Sequence, residues 1–202
     1  MSTIDDAPAT VAGTGVADPA PLGLAAFALT TFLLSAANAG WTKGSGSEWL
    51  GYAFAYGGLA QLLAGMWEFK NKNVFGATAF STYGGFWIGL ALYVLLVAPK
   101  AGTGIPNDLA WVLLAFAIFN LYMLIASTLV NTAVFLVFLF LQATEVVLFI
   151  GQFDSGNASI IKVGGYLGVL TALIAWYTSF AGGVTGVRGR VTVPVGKPFV
   201  TS

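Results

Sequence analysis

The stretch LAWVLLAFAIFNLYMLIASTLVNTAVFLVFLFLQAT, residues 109–144, contains no charged side chain. One helix crosses the hydrocarbon core of a bilayer with about 20 apolar residues, so this run is too long for a single crossing. It predicts two adjacent membrane spans. We place the reversal between them at 127–131, where Ser127, Thr128 and Asn131 bring polar side chains together.

The same criterion, applied outward from this run, predicts an all-α integral membrane protein with a six-transmembrane-helix bundle. The expected spans are 22–40, 49–69, 75–98, 109–129, 131–150 and 160–183. We expect one transmembrane domain at 18–185. A disordered cytoplasmic tail at 1–17 precedes it, and a cytoplasmic tail at 186–202 follows it.

The composition excludes several classes of protein. Only 8% of the residues are charged, too few to cover a water-facing globule, whereas charges are costly inside hydrocarbon. The net charge is zero and the cationic residues form no cluster, so we expect no nucleic acid partner. Cysteine and histidine are absent, which removes thiol nucleophiles and Cys/His metal sites. We therefore predict that the chain is not an enzyme and uses no metal or cofactor.

The distribution of Lys and Arg among the short loops predicts the orientation in the membrane. Five cationic residues fall on the side that both termini share: Lys70, Lys72, Arg188, Arg190 and Lys197. Three fall on the other side: Lys43, Lys100 and Lys162. This bias predicts a multi-pass protein of the plasma or inner membrane with both termini in the cytoplasm.

Polar and aromatic side chains recur on one face of three spans, at helical spacings of three and four residues. These stripes are Phe27, Thr31, Ser35 and Asn38; Gly58, Gln61, Gly65 and Glu68; and Phe138, Gln142, Glu145 and Phe149. Polar groups inside a membrane need a partner or a water-filled cavity. The stripes are consistent either with hydrogen bonds between neighbouring helices or with the lining of a path, and together they favour a path.

Two carboxyl groups within the spans are candidate proton sites. Glu145 lies in an apolar run without a countercharge, where low polarity favours a protonated carboxyl group. The alternatives for Glu145 are a structural hydrogen bond or a position near the headgroups. Glu68 lies close to Lys70 and Lys72 at a span end, where an interfacial ion pair is the stronger expectation.

A stripe of small residues runs along the last span. Gly164 and Gly168 form a GxxxG pattern, which Ala172, Ala175 and Ser179 continue. Small residues allow helices to approach closely in lipid. The pattern fits packing within the protomer and contact between protomers equally well.

Two segments resemble the acetate uptake transporter family, also called the GPR1/FUN34/YaaH or succinate-acetate permease family. DPAPLGL at 18–24 resembles the NPAPLGL signature of that family. A second block of the family is similar in residue order and spacing to residues 56–87, YGGLAQLLAGMWEFKNKNVFGATAFSTYGGFW. The resemblance is specific in the first three spans and general in the last three.

The resemblance implies a six-helix protomer with its own central path, assembled as a homohexamer in the lipid bilayer. It implies transport of acetate, and of succinate in some members, by a channel-like or proton-coupled route. The family's constriction corresponds here to Phe27, Tyr83 and Gln142, the last in place of a family Leu. Asp18 also departs from the signature Asn, although both side chains can accept a hydrogen bond at a helix start.

The leading hypothesis is therefore transmembrane transport of a small monocarboxylate. Thr31, Ser35, Asn38 and Gln61 are the expected path residues, because their neutral polar groups replace water without binding an anion strongly. The alternative is a non-conducting membrane subunit of a larger complex, which the small-residue stripes would serve equally well.

Overall fold

The computed structural model describes residues 15–200, and within that range the chain is a bundle of six long helices. The tail predicted at 1–17 lies outside the described residues except for 15–17. The helices are α1, Ala20–Asn38; α2, residues 49–70, made of Trp49–Phe54, the π-helical turn Ala55–Ala60 and Gln61–Lys70; α3, Val74–Ala101, with a π-helical turn at Tyr93–Val97; α4, Ile105–Ser127; α5, Thr132–Phe153; and α6, Ala158–Arg188.

Five of the described helices have the length and hydropathy of a membrane span. The sixth, α2, is one continuous helical stretch of similar length that a π-helical turn divides into segments. At about 1.5 Å per residue each stretch covers the ~30 Å hydrocarbon core. The all-α, six-helix membrane bundle predicted from sequence is confirmed, and the helix bounds differ from the predicted spans by a few residues.

The reversal inside the uncharged run lies where the sequence predicts it. α4 ends at Ser127 and α5 begins at Thr132, with the Asn131 side chain accepting a hydrogen bond from the Val134 N–H at 2.9 Å. The same kind of cap starts α3 at Asn73. These Asn side chains satisfy N–H groups that have no partner within the helix, which fixes where each span begins.

The small-residue stripe of α6 packs inside the protomer. A Cβ added at Gly164 would meet the side chain of Leu148 on α5, and one added at Gly168 would meet Ser35 on α1. Ala172 and Ala175 are completely buried along the same line. Close approach of α6 to both neighbours therefore accounts for the stripe, because these contacts leave no space for larger side chains.

Large apolar side chains cover much of the outer surface of the bundle. On α4, for example, Trp111, Ile118 and Ile125 are each more than half exposed. Such an apolar surface is unfavourable in water and is expected of helices that face lipid. The surface supports the assignment as a multi-pass membrane protein.

The chain after α6 folds back on the bundle. The Val195 carbonyl accepts a hydrogen bond from the Ala133 N–H at 2.8 Å, and the Thr128 carbonyl accepts one from the Phe199 N–H at 2.8 Å. The Phe199 ring also packs against Phe135, with centroids 4.8 Å apart. This segment thus covers the α4–α5 turn. The division into a domain at 18–185 and tails remains a prediction.

Candidate functional site

Two cavities enter the bundle from opposite ends. The distal cavity, about 160 Å³, lies at the end where α1 finishes and α2 begins. Its walls carry Asn38, Trp49, Val94, Leu109 and Gln152, which mark that end of five helices. One water needs roughly 10 to 15 Å³ on this measure, so the space suffices for several waters or a small organic acid.

The proximal cavity, about 500 Å³, lies at the opposite end, where α1, α3 and α5 begin. Its walls include Asp18, Glu68, Asn73 and Asn131. Val195, from the segment that folds back after α6, closes part of its rim. This cavity is both larger and more polar at its mouth than the distal one.

A layer about one helical turn thick separates the two cavities. Phe27, Tyr83 and Leu141 line the distal side, whereas residues three or four positions earlier on the same helices line the proximal side. Those earlier residues are Leu24, Ala79 and Phe138. Because one turn rises ~5 Å, the two cavities approach each other closely in the middle of the bundle.

The layer is closed by packed side chains. The rings of Phe27 and Tyr83 meet edge to face with centroids 5.7 Å apart. Phe27, Tyr83 and Leu141 are each no more than 6% exposed and belong to one buried cluster. Edge-to-face aromatic contacts are favourable. The described conformation is therefore shut between the two cavities.

The third residue of this layer is Leu141 and not the Gln142 expected from sequence. Gln142 is partly exposed, and its Oε1 accepts a hydrogen bond from Asn120 Nδ2 at 2.9 Å. Consecutive helical residues point about 100° apart, so a shift of one position changes the face. The side chain from α5 that belongs to this layer is therefore a leucine and not a glutamine.

A buried polar network surrounds the Tyr83 hydroxyl. Tyr83 Oη lies 3.0 Å from Asn120 Oδ1 and 3.2 Å from Glu145 Oε1. Asn120 Nδ2 donates to the Phe138 carbonyl at 3.0 Å as well as to Gln142. The network joins α3, α4 and α5 directly beside the closed layer. Glu145 is thus next to Tyr83, deep in the bundle, and not at the headgroups.

The distal cavity also has buried polar atoms without a partner among the described residues. They are Thr31 Oγ1, Trp87 Nε1 and Glu145 Oε2, and all three residues line this cavity. Ser35 and Asn38, on the same face of α1 as Thr31, line it too. The hydroxyl and the indole N–H are neutral donors, so the cavity presents hydrogen-bond donors without fixed positive charge.

Gln61, predicted as a path residue, lines neither cavity. Its side chain is 1% exposed on the face of α2 that packs against α1 and α3. Gly65, on the same stripe, lies so close to Ser81 that an added Cβ would clash. The α2 stripe therefore serves mainly as a helix contact, because its glycines draw the helices together and leave no space for a path.

Glu68 does not form the expected ion pair. The side chain is completely buried and accepts a hydrogen bond from Asn71 Nδ2 at 3.5 Å. No ion pair joins it to Lys70 or Lys72, although the structure describes all three residues. Lys70 lies two positions along the helix on an exposed face, with its ammonium 5.5 Å from the Trp67 ring centroid. The carboxyl group instead lines the proximal cavity.

The model of the GPR1/FUN34/yaaH family matches residues 3–197, nearly the whole chain. The chain belongs to this family. The resemblance of the two sequence segments to the family is thereby confirmed.

Several known proteins are similar over most of this chain. Acetate permease A of Emericella nidulans is 42% identical over 195 residues, which cover 89% of this chain and 65% of the relative. The chain thus spans less than two thirds of that fungal protein. The succinate-acetate/proton symporter SatP of Escherichia coli (strain K12) is 37% identical over 187 residues, covering 91% of this chain and 97% of the relative.

A solved structure described as the bacterial acetate channel SatP has the same fold as this family member. The TM-score is 0.82 at 35% sequence identity, and the match covers 90% of this chain and 99% of that one. Most of this chain therefore shares its fold with that structure.

Three residues at the layer, in the distal cavity and in the network around Tyr83 were not expected from the sequence. Leu141 was missed because it and Gln142 lie at equally good helical spacings from Phe138 and Glu145. Trp87 lies four residues after Tyr83, and this spacing places both side chains on one face of α3. The spacing could therefore have indicated Trp87 from the sequence. Asn120, one polar residue within an apolar span, gave no indication of which helix it contacts.

Proposed function

We propose that the chain conducts a small monocarboxylate such as acetate, with succinate as a further candidate, across the membrane through the interior of each protomer. One observation carries this proposal: two cavities reach from opposite ends to a layer about one helical turn thick. A small movement of three side chains would join them. The names of the related permease, symporter and channel support a carboxylate as the permeant.

In this proposal Phe27, Tyr83 and Leu141 form the constriction. Aromatic and aliphatic side chains at a narrow point exclude water and ions until they move apart. The gap that opens when they move is narrow and apolar. It therefore favours a small, weakly hydrated organic acid over a large or highly charged one.

Thr31, Ser35 and Asn38 are the proposed path residues on the distal side, together with Trp87. Thr31 and Trp87 are suited to this role because each has a buried donor without a partner among the described residues. A carboxylate accepts hydrogen bonds from such neutral donors. No Lys or Arg among the described residues lines the distal cavity, so the permeant is held weakly and can leave.

Glu145 is the proposed proton site of the distal cavity, and Glu68 is the corresponding candidate of the proximal cavity. Each has a buried carboxyl oxygen without a hydrogen-bond partner among the described residues. Exchange of a proton at these groups would let transport use a pH gradient. A channel-like route without coupling uses the same cavities and leaves both carboxyl groups as structural acceptors.

We also propose a homohexamer in the plasma or inner membrane with both termini in the cytoplasm. The resemblance to the family supports the oligomer, and the excess of Lys and Arg on the terminal side supports the orientation. Native mass spectrometry of the detergent-solubilised protein tests the oligomer. Labelling of single cysteines introduced at Ser45 and at Thr192, in intact cells and in lysed cells, tests the orientation.

Uptake of labelled acetate into proteoliposomes tests the proposed function. We expect saturable or pore-like uptake by the purified chain, well above that of protein-free vesicles. Replacement of Tyr83 by Ala opens the constriction. It should raise the acetate uptake rate by about tenfold and admit bulkier carboxylates. Tyr52→Ala, at a half-exposed tyrosine on the outer surface of α2, is the matched control and should conduct as the parent does.

The same assay separates this function from that of a non-conducting subunit. The proposal would be contradicted by purified protein that forms a stable oligomer but takes up no acetate, whichever way the pH gradient is imposed. A Tyr83→Ala protein with unchanged rate and selectivity would contradict the assigned constriction. Uptake of the neutral acid through lipid is subtracted with protein-free vesicles.

A further inference from the structure

The hydrogen bonds around Tyr83 have a direction that the backbone of α5 fixes. The Phe138 carbonyl can only accept, and it lies 3.0 Å from one end of the Asn120 amide. That end must therefore be the Nδ2 donor, because turning the amide over would set two oxygens against each other. Gln142 Oε1 accepts from the same NH₂ group at 2.9 Å.

Asn120 Oδ1 consequently faces Tyr83 Oη at 3.0 Å. An amide oxygen cannot donate, so the Tyr83 hydroxyl must donate its proton to Asn120. A hydroxyl has one proton. Tyr83 Oη also lies 3.2 Å from Glu145 Oε1, and this second contact has a proton of its own only when Glu145 is the donor. A carboxylate at that position would leave two acceptors facing each other in a buried site.

We propose that Asn120 is a positioning residue that fixes this chain of hydrogen bonds, so that Glu145 carries a proton and donates it to the constriction residue Tyr83. This series of hydrogen bonds runs from Glu145 to Tyr83, then to Asn120, and ends at Phe138 and Gln142. The inference deepens the proposed function and rests on it, because it assigns a protonation state to the residue that closes the path.

The surroundings of Glu145 are consistent with a neutral carboxyl group. Thr31 and Ser35 of α1 line the same distal cavity as Glu145, and Thr144 precedes Glu145 on α5. Tyr83 of α3 is the titratable side chain that contacts Glu145, and Tyr122 of α4 lies near Tyr83. The lining of the distal cavity contains no Lys, Arg, Asp or second Glu in the described part of the chain.

Loss of the proton would change the partners of Tyr83. The proton would leave Glu145 for water in the distal cavity, and Tyr83 would turn its hydroxyl proton toward the new carboxylate. Asn120 Oδ1 would then face the oxygen of Tyr83 without a donor between them. The contact between α3 and α4 at the constriction weakens, so the state of Glu145 is linked to how firmly Tyr83 is held.

Infrared spectroscopy of the substrate-free protein in lipid at neutral pH tests this assignment. We expect a carbonyl stretching band of a protonated carboxyl group that is lost in Glu145→Gln. Glu68→Gln provides the matched control for a second buried carboxyl group, and Glu48→Gln the control for an exposed one. A protonated-carboxyl band that is the same in the parent and in Glu145→Gln would overturn the proposal.

A second variant tests the role of Asn120. Asn120→Leu removes the acceptor of the Tyr83 proton, so Tyr83 can donate to an ionised Glu145. The band assigned to Glu145 should weaken by about twofold or more at the same pH. An unchanged band in a variant that keeps its oligomer size and helix content would contradict the positioning role.

Glu145→Asp is the control for loss of the band through misfolding. Its carboxyl group can still be protonated, so the band should shift and not disappear. Since no acetate is present, these spectra are independent of transport. A chain that conducts nothing can still give the expected bands, and a conducting chain can fail to give them. Failure of this inference is thereby distinguishable from failure of the proposed function.

Discussion

The distal and proximal cavities differ in size and in the chemistry of their walls. The distal cavity is about 160 Å³ and has neutral donors and one buried carboxyl group, whereas the proximal cavity is about 500 Å³ and has two carboxyl groups near its mouth. Both end at the same thin layer. In the proposed function, a permeant is therefore surrounded more closely in the distal cavity than in the wider proximal cavity.

The largest expected effect comes from the layer that the cavities share. Leu141→Ala removes a buried side chain from it and should raise acetate conduction by about tenfold, or admit larger acids, because the gap widens. Uptake into proteoliposomes measures this. Leu139→Ala, two residues away at a 39% exposed leucine, is the control for α5.

Gln142→Ala sharpens the test because it compares Gln142, the constriction residue expected from sequence, with Leu141, the one proposed from the packing of the layer. It should alter conduction less than Leu141→Ala, since Gln142 acts only through Asn120. A Gln142→Ala effect larger than that of Leu141→Ala would show that α5 presents a different face to the path when it conducts.

The next effect concerns the contact between α6 and α1, the helix that lines both cavities. A Cβ at Gly165 on α6 would meet the backbone of Ala39 just after α1. Backbone cannot move aside as a flexible side chain can, so Gly165→Ala should lower the free energy of unfolding by about 1 to 3 kcal/mol. Thermal unfolding in detergent measures the change.

Gly183→Ala is the matched control for that contact. No atom lies within 4 Å of the Cβ that it would add, and alanine favours a helix over glycine. This variant should be neutral or slightly stabilised. Equal destabilisation by both substitutions would mean that the α1–α6 contact is not as close as described.

The smallest expected effect lies at the proximal mouth. Asp18 is exposed there, and its Oδ1 accepts a hydrogen bond from the Ala20 N–H at 3.0 Å. Asp18→Asn keeps an oxygen for that bond and removes a negative charge that repels anions. Acetate uptake from the proximal side should rise by about twofold at low salt, and the gain should fade at high salt. A gain that persists at high salt would argue against an electrostatic cause.

The sequence was sufficient for the parts of the fold that depend on local rules. Runs of apolar residues located all six helices, and the polar cluster at 127–131 located the reversal. Asp18 accepts a hydrogen bond at the start of α1, as its position in the signature predicted. These features follow from hydrophobicity and from unsatisfied N–H groups, which each segment displays by itself.

The site was less accessible from sequence because it depends on how helices are rotated against one another. Leu141 and Gln142 fit the same spacing rule, and only packing against Phe27 and Tyr83 distinguishes them. The stripe containing Gln61 was correctly identified as one face of α2, but its glycines direct that face against α3. A pattern along one helix does not specify which neighbour it meets.

The alternating direction of the six helices has a consequence for anions. The helices α1, α3 and α5 begin at the proximal cavity, whereas α2 and α6 end there, so N-terminal and C-terminal ends with opposite partial charges of about half an elementary charge meet at one mouth. These partial charges largely offset each other. An entering carboxylate therefore meets a field that is set mainly by side chains, and on the proximal side those are the carboxyl groups of Asp18 and Glu68.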